Sequence, residues 1–168
     1  MFVFGHIGYS WGAAVLATRM KRSARLPLLA LAVAALGPDL VDKVAATTLL
    51  HDAPTSRLWA HSLVVQAIVL GVVWTTRRGW FPYALMLPLH VVFDAIDGWT
   101  PGSFFWPLLG WSFPPTDSYG HLDCPLTFLR FIVERLAESP LALAWEAGGL
   151  VVITLVLMGR RRPDAHGA

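Results

Sequence analysis

The sequence predicts an all-α fold: a polytopic membrane helix bundle of about five transmembrane helices in a single domain. Of its 168 residues, 55% are apolar and only 14% are charged, against about 25% charged in an ordinary soluble domain. Long apolar stretches recur along the chain, and clusters of basic residues separate them. This composition excludes a disordered chain, a coiled coil and a typical cytosolic enzyme, and the single Cys excludes an internal disulfide framework.

Five stretches are predicted to span the membrane, because each is apolar over most of the about 20 residues that a crossing helix needs. They cover residues 1–18, 26–50 (broken at Gly37-Pro38), 58–76, 79–97 and 141–159. Residues 101–116 are apolar and aromatic but contain four prolines and two glycines, which predicts a re-entrant or interfacial loop. Pro125–Glu138 carries apolar residues at helical spacing among charged ones, which predicts an amphipathic surface helix.

Three basic clusters predict the orientation of these spans. They lie within residues 19–25, at Arg77-Arg78 and at residues 160–162, and with five spans all three fall on one face. The positive-inside rule makes that face cytoplasmic. We therefore expect a multi-pass protein of the inner membrane with an extracytoplasmic N-terminus, an extracytoplasmic segment at 98–140 and a cytoplasmic polar tail at 160–168.

Ionisable residues inside predicted spans are costly and usually functional. Each of six such residues lies 12–16 positions from the basic cluster that bounds its own span: His6, Asp39, His61, His90, Asp94 and Glu146. At about 1.5 Å per residue, this spacing places all six in one layer toward the extracytoplasmic side. Imidazoles and carboxylates are ligands for Zn²⁺ or Mn²⁺, so the layer predicts a metal site.

The local pattern favours particular ligands within this layer. His90 and Asp94 share one helix face at i, i+4, and the Gly37-Pro38 break precedes Asp39, so a broken helix can turn that carboxylate into a shared cavity. The predicted metal ligands are His6, Asp39, His61, His90 and Asp94. The predicted catalytic or positioning residues are Asp42, Asp97, Arg57 and Glu146.

Simpler roles compete with each of these assignments. His6 could be an interfacial residue, His61 or Asp39 could cap a helix, and Glu146 could reach the outer surface. Residues 8–12 also match the G-x-S-x-G pattern of a hydrolase nucleophile elbow, which requires a strand–turn–helix corner. In a predicted membrane helix, small residues at this spacing favour close helix packing instead.

Four motifs, in this order, resemble the YdjM-like family, described as LexA-regulated, inner-membrane, metal-dependent hydrolases. They are His6, Gly37-Pro38-Asp39, Arg57-Leu58-Trp59-Ala60-His61-Ser62 and His90-Val91-Val92-Phe93-Asp94. The family is in turn similar to zinc-dependent phospholipase C and related single-strand nucleases, which are all-α enzymes acting on phosphate esters. The resemblance implies one metal site of Asp39, His61, His90 and Asp94, with His6 able to join Asp94 at a second metal.

The expected function is a membrane-embedded, metal-dependent hydrolase, most simply a phosphoesterase for a lipid or lipid-linked substrate on the extracytoplasmic side. Zn²⁺ is the expected cofactor, with Mn²⁺ or another divalent cation as the alternative, and no nucleic-acid partner is expected. Two other classes stay open at this point. The polar layer could be a proton or cation relay of a translocating protein, or it could hold a metal or haem without catalysis.

Overall fold

The chain is all-helical in a computed structural model that describes residues 3–20, 26–50, 55–98, 100–115 and 125–161. The described residues form nine α-helices and contain no strand, which confirms the predicted all-α class. The helices are α1 (Val3–Met20), α2 (Leu28–Ala35), α3 (Gly37–Thr48), α4 (Leu63–Thr76), α5 (Phe81–Ala84), α6 (Met86–Asp97), α7 (Pro101–Phe104), α8 (Pro125–Glu138) and α9 (Pro140–Arg161).

The break between α2 and α3 falls at the predicted Gly37-Pro38 position. Pro38 has no N–H and cannot extend the hydrogen-bond ladder of α2, which closes with Leu36 N–H donating to the Ala32 carbonyl at 3.1 Å. Pro38 then occupies the first turn of α3, where a missing N–H costs nothing, and Asp39 follows it in that turn. The break therefore starts a new helix just before the first acidic residue of the layer.

The fourth predicted span is divided at Leu85, which separates α5 from α6. Pro88 has no N–H to donate to the Ala84 carbonyl one turn earlier, which explains why the ladder is interrupted there. α6 runs on to Asp97 and carries His90 and Asp94 on one face. Ser62 caps the N-terminus of α4, its Oγ accepting from the Val65 N–H at 3.3 Å.

The aromatic segment at 101–115 does not form a long helix. After the single turn of α7 it continues as turns and irregular chain, in agreement with the predicted loop. Trp106 stacks on Phe113 with ring centroids 5.6 Å apart, and Trp59 meets Phe113 edge-on at 6.1 Å. Ser62 Oγ donates to the Trp106 carbonyl at 2.5 Å. The aromatic loop is thereby fixed against the turn that precedes α4.

Two stretches, Arg78–Ile96 and Pro140–Gly159, are long and apolar enough to cross a membrane, and Leu63–Thr76 is an apolar but shorter helix. Only 28% of the first long stretch and 17% of the second are buried inside the bundle. Their length, composition and exposure favour association with a membrane. α8 forms with the predicted bounds, and α9 begins one residue before its predicted start.

α1 and α9 form the most extensive helix–helix contact in the described part of the chain. Gly8 and Gly149 allow this approach, because a Cβ on Gly8 would collide with the backbone of Gly149, and one on Gly149 with the backbone of Phe4 and Gly5. Glu146 adds a cap: its carboxylate accepts from the N–H groups of Phe4 at 2.9 Å and Gly5 at 3.2 Å. Gly8, one of the small residues of the G-x-S-x-G pattern, thus allows the close packing of α1 on α9.

Gly149→Ala should destabilise the protein, by about 2 kcal/mol, because the added methyl forces α1 away from α9. Gly159→Ala is the matched control in the same helix, since a Cβ there meets nothing within 4 Å. This control should leave stability unchanged or raise it by about 0.5–1 kcal/mol, since alanine favours a helix over glycine. Thermal unfolding in detergent measures both variants, and equal effects would contradict the proposed close contact.

Candidate metal centre

Four side chains from three parts of the chain converge on one point. Asp39, His61, His90 and Asp94 each offer one ligand atom, and these four atoms all lie within 4.8 Å of one another. α3 contributes Asp39, α6 contributes His90 and Asp94, and the short 3-10 turn before α4 contributes His61. His61 and His90 are fully buried, Asp94 is nearly so, and the Asp39 side chain is 26% exposed.

The distances between these atoms suit a small divalent cation. The two Nε2 atoms of His61 and His90 are 3.3 Å apart. Asp39 Oδ1 lies 3.5 Å from His61 Nε2 and 3.8 Å from His90 Nε2, and Asp94 Oδ2 lies 3.5 and 4.0 Å from the same two atoms. Tetrahedral zinc with Zn–N bonds of about 2.0–2.1 Å places its ligand atoms roughly 3.3–3.4 Å apart. The histidines match this separation, and the carboxylates are a few tenths of an ångström further out.

Asp42 determines the orientation and tautomer of His61. One Asp42 oxygen lies 2.7 Å from His61 Nδ1, and the carboxylate also accepts from the backbone N–H groups of Leu58, Ala60 and His61 at 2.7, 2.9 and 3.1 Å. A carboxylate with this set of donors is an acceptor, so the proton lies on His61 Nδ1. In the neutral imidazole, Nε2 of His61 then carries a free lone pair, and this atom faces the cluster.

The break between α2 and α3 determines the tautomer of His90 in the same way. His90 Nδ1 lies 2.8 Å from the carbonyl oxygen of Ala35, the last residue of α2. A carbonyl can only accept, so His90 Nδ1 donates, and in the neutral imidazole Nε2 then carries no proton. Two imidazole lone pairs therefore face each other at 3.3 Å, between two carboxylates. Such a set of acceptors repels itself unless a cation lies among them.

Asp94, one of the two carboxylates of the cluster, also has fixed outer partners. His6 Nε2 is 3.1 Å from Asp94 Oδ1, and the His6 ring stacks on the His90 ring with centroids 4.0 Å apart. Arg57 lies 3.2 Å from Asp94 Oδ2 and also donates to the Gly98 carbonyl at 3.0 Å. These contacts hold Asp94 in place, as outer hydrogen-bond partners do around known metal ligands.

The structure brings together four of the five predicted metal ligands and places the fifth beside them. His6 contacts Asp94 from outside and is not one of the four converging residues. Its Nδ1 has no hydrogen-bond partner among the described residues. His6 therefore lies where its contact can orient Asp94.

The predicted catalytic residues occupy different places. Asp42 lies behind His61, and Arg57 lies against Asp94. Glu146 accepts backbone N–H groups at the start of α1, so its contacts are those of a helix cap and not of an acid or base at the cluster. Asp97 is the last residue of α6, and its side chain lies outside the described part of the structure.

Sequence reasoning missed two residues around the cluster. Lys43 Nζ donates to Asp39 Oδ2 at 2.9 Å, and Gln66 Nε2 donates to the Ala60 carbonyl at 2.6 Å, bracing the turn that holds His61. The i, i+4 spacing of Asp39 and Lys43 was a usable signal for the first contact. A buried amide in the otherwise apolar α4 was a usable signal for the second.

No family model matches this chain, and no curated protein or solved structure is significantly similar to it. The resemblance to the YdjM-like family therefore stays a prediction from the four motifs. Three of those motifs supply the four converging residues, and the fourth supplies His6. The geometry of the four converging residues and the chemistry of their donor atoms indicate a candidate metal site.

Asp42→Asn should lower the affinity for zinc about 10–100-fold, because the amide cannot accept from all of its present donors and His61 loses its fixed tautomer. Zinc affinity measured by competition with a chromophoric chelator tests this. Glu146→Gln is the matched control, since it also alters a buried carboxylate that accepts backbone N–H groups, but those groups belong to Phe4 and Gly5 of α1 and not to the turn that carries His61. Equal zinc affinities for Asp42→Asn and wild type would overturn the role assigned to Asp42.

Proposed function

We propose that this chain is a membrane-embedded, metal-dependent hydrolase that acts on a phosphoester of a lipid or lipid-linked molecule. Zn²⁺ is the proposed cofactor, with Mn²⁺ as the alternative. One observation carries the proposal: the Nε2 atoms of His61 and His90 face each other at 3.3 Å, each with its Nδ1 proton held elsewhere, between Asp39 and Asp94. A divalent cation is the simplest group that makes this arrangement stable.

The donor set favours a catalytic site over a structural one. Structural zinc sites usually contain several cysteines, whereas this set contains two imidazoles and two carboxylates. Because the set has four protein ligands, a catalytic water would have to add a fifth ligand or replace one of the four. Asp39 is partly exposed, so water and substrate have a way to the cluster. Bound Zn²⁺ would supply a Lewis acid and lower the pKa of a coordinated water toward about 7. Hydrolysis of an ester is the reaction class that this chemistry serves.

The surrounding residues have separate roles in the proposed reaction. Arg57 is about nine-tenths buried beside Asp94, so its guanidinium is placed to stabilise negative charge that develops on a phosphoryl group. Asp42 and His6 are positioning residues, because they contact His61 and Asp94 and lie outside the four converging atoms. Asp97 remains the proposed general acid or base, on the evidence of its sequence position one turn beyond Asp94.

The proposed setting is a five-span bundle whose cluster lies toward the extracytoplasmic side. The distribution of basic residues supports this orientation. Large apolar side chains cover the outer surfaces of α4 and α9, where a bilayer would shield them from water. The exposed apolar residues of these two helices are Ile68, Val69, Val72, Trp74, Leu141, Leu143, Leu150, Val151, Leu155, Leu157 and Met158.

Detergent-purified wild-type protein should contain one or more zinc or manganese ions per chain, and His90→Ala should lose them because one of four ligands is gone. Elemental analysis measures this directly. Asp94→Asn is a second ligand variant that keeps the shape of the side chain, so its loss of metal cannot be attributed to a cavity.

Ser10→Ala is the control for these two ligand variants. Ser10 is fully buried like His90, but its Oγ has no hydrogen-bond partner among the described residues, so this variant should keep its metal. Wild-type protein that holds no metal even after supplementation would overturn the hydrolase proposal. It would leave the cluster as a candidate proton or cation relay.

The proposed topology predicts a pattern of cysteine labelling in intact cells, in a background where the native Cys124 is replaced by Ser. A cysteine at position 53 should react with an impermeant thiol reagent, because the loop before His61 is extracytoplasmic. Thr76→Cys, next to the basic pair at the other end of α4, should be shielded. The reverse pattern would place the cluster on the cytoplasmic side.

A further inference from the structure

The cluster is closed on most sides by buried residues, and its exposed side is on α3. His61, His90, His6 and Asp42 are at most 1% exposed, and the Asp94 side chain is 6% exposed. The Asp39 side chain is 26% exposed, and the Lys43 side chain that contacts it is exposed to the same extent. Among the described residues around the cluster, Asp39 and Lys43 therefore mark the side from which a ligand can enter.

Asp39 connects the interior of the site to this entrance. Its Oδ1 faces the two histidines at 3.5 and 3.8 Å, and its Oδ2 accepts from Lys43 Nζ at 2.9 Å. The ammonium of Lys43 thus stands one carboxylate away from the proposed cation. An ammonium carries three N–H donors, so it can hold Asp39 and an incoming anion at once. Arg57, the other cation at the cluster, is buried on the Asp94 side.

The surface beside this entrance is apolar. Leu40 and Val44 directly follow Asp39 and Lys43 in the sequence, and their side chains are 60% and 50% exposed. At 3.6 residues per turn, Leu40 lies next to Asp39 on the side of α3 that faces away from Asp42. A ligand that reaches Lys43 along this face meets a positive charge bordered by exposed aliphatic side chains.

We infer that Lys43 recognises an anionic, phosphate-type group of an amphiphile that enters past α3, with its apolar chain lying against Leu40 and Val44. This inference rests on the proposed function and adds to it the residue that recognises the anionic group and the helix face along which the molecule enters. The inferred entrance is therefore on α3 and not at the aromatic loop. In the described residues of that loop, Trp106 packs against Trp111 and Phe113, and Phe113 against Trp59.

Binding of dodecyl phosphate to zinc-supplemented protein in dodecyl maltoside micelles tests the inference, with zinc content measured on the same samples. Lys43→Gln should weaken binding about tenfold, as expected for losing a charged hydrogen-bond donor, while zinc content stays at the wild-type level. Lys43→Arg should restore binding to within about threefold of wild type, since it keeps the charge. Because Lys43 is not one of the ligands, retained zinc also shows that each variant is folded.

Two further variants test whether the apolar chain of the ligand lies against α3. Leu40→Ser should weaken dodecyl phosphate binding several-fold, whereas Val72→Ser, at a comparably exposed position on α4, should leave it unchanged. Inorganic phosphate should bind more weakly than dodecyl phosphate and should be insensitive to Leu40→Ser. Equal effects of Leu40→Ser and Val72→Ser would overturn entry along α3.

The same measurements separate failure of the inference from failure of the proposed function. Zinc-loaded protein whose dodecyl phosphate binding is unaffected by Lys43→Gln would overturn the inference and leave the metal site standing. Wild-type protein without zinc would overturn the proposed function. Lys43-dependent binding in that metal-free protein would still support recognition of an anionic amphiphile at this entrance.

Discussion

The site depends on the hydrogen bonds that the buried carboxylate of Asp42 accepts. This carboxylate joins α3 to the turn before α4 by accepting three backbone N–H groups, and it also fixes His61. An unpaired carboxylate at this depth would be strongly unfavourable, whereas one with four donors is a rigid bridge. The turn that carries His61 therefore has little freedom, and Gln66 holds it from the other side through the Ala60 carbonyl.

The helices were largely predictable because strong local signals determine where they begin and end. Pro38 breaks the second span where expected, and the amphipathic pattern of Pro125–Glu138 gave the bounds of α8. The division at Leu85 was not predicted, although Pro88 provides its cause. Local patterns determine where a helix ends, but they do not show how many separate segments a long apolar stretch contains.

Which residues converge was predictable in part, but their detailed contacts were not. A shared distance from the basic clusters identified six residues, and four of them converge. Equal depth does not specify which way a side chain points around the bundle. Glu146 turns toward the first turn of α1, and His6 reaches Asp94 without joining the four atoms. Lys43 was missed although its i, i+4 spacing from Asp39 is a signal, because the same spacing is common on solvated helix faces that hold no site.

The position of the four ligands along the chain has a consequence for biogenesis. All four lie between Asp39 and Asp94, and the outer contacts from Asp42, Arg57 and the Ala35 carbonyl lie within or next to that stretch. α9 follows them in the chain, and it acts through α1, which brings His6 to Asp94. The four converging residues are thus synthesised well before the described helix that packs most extensively on α1.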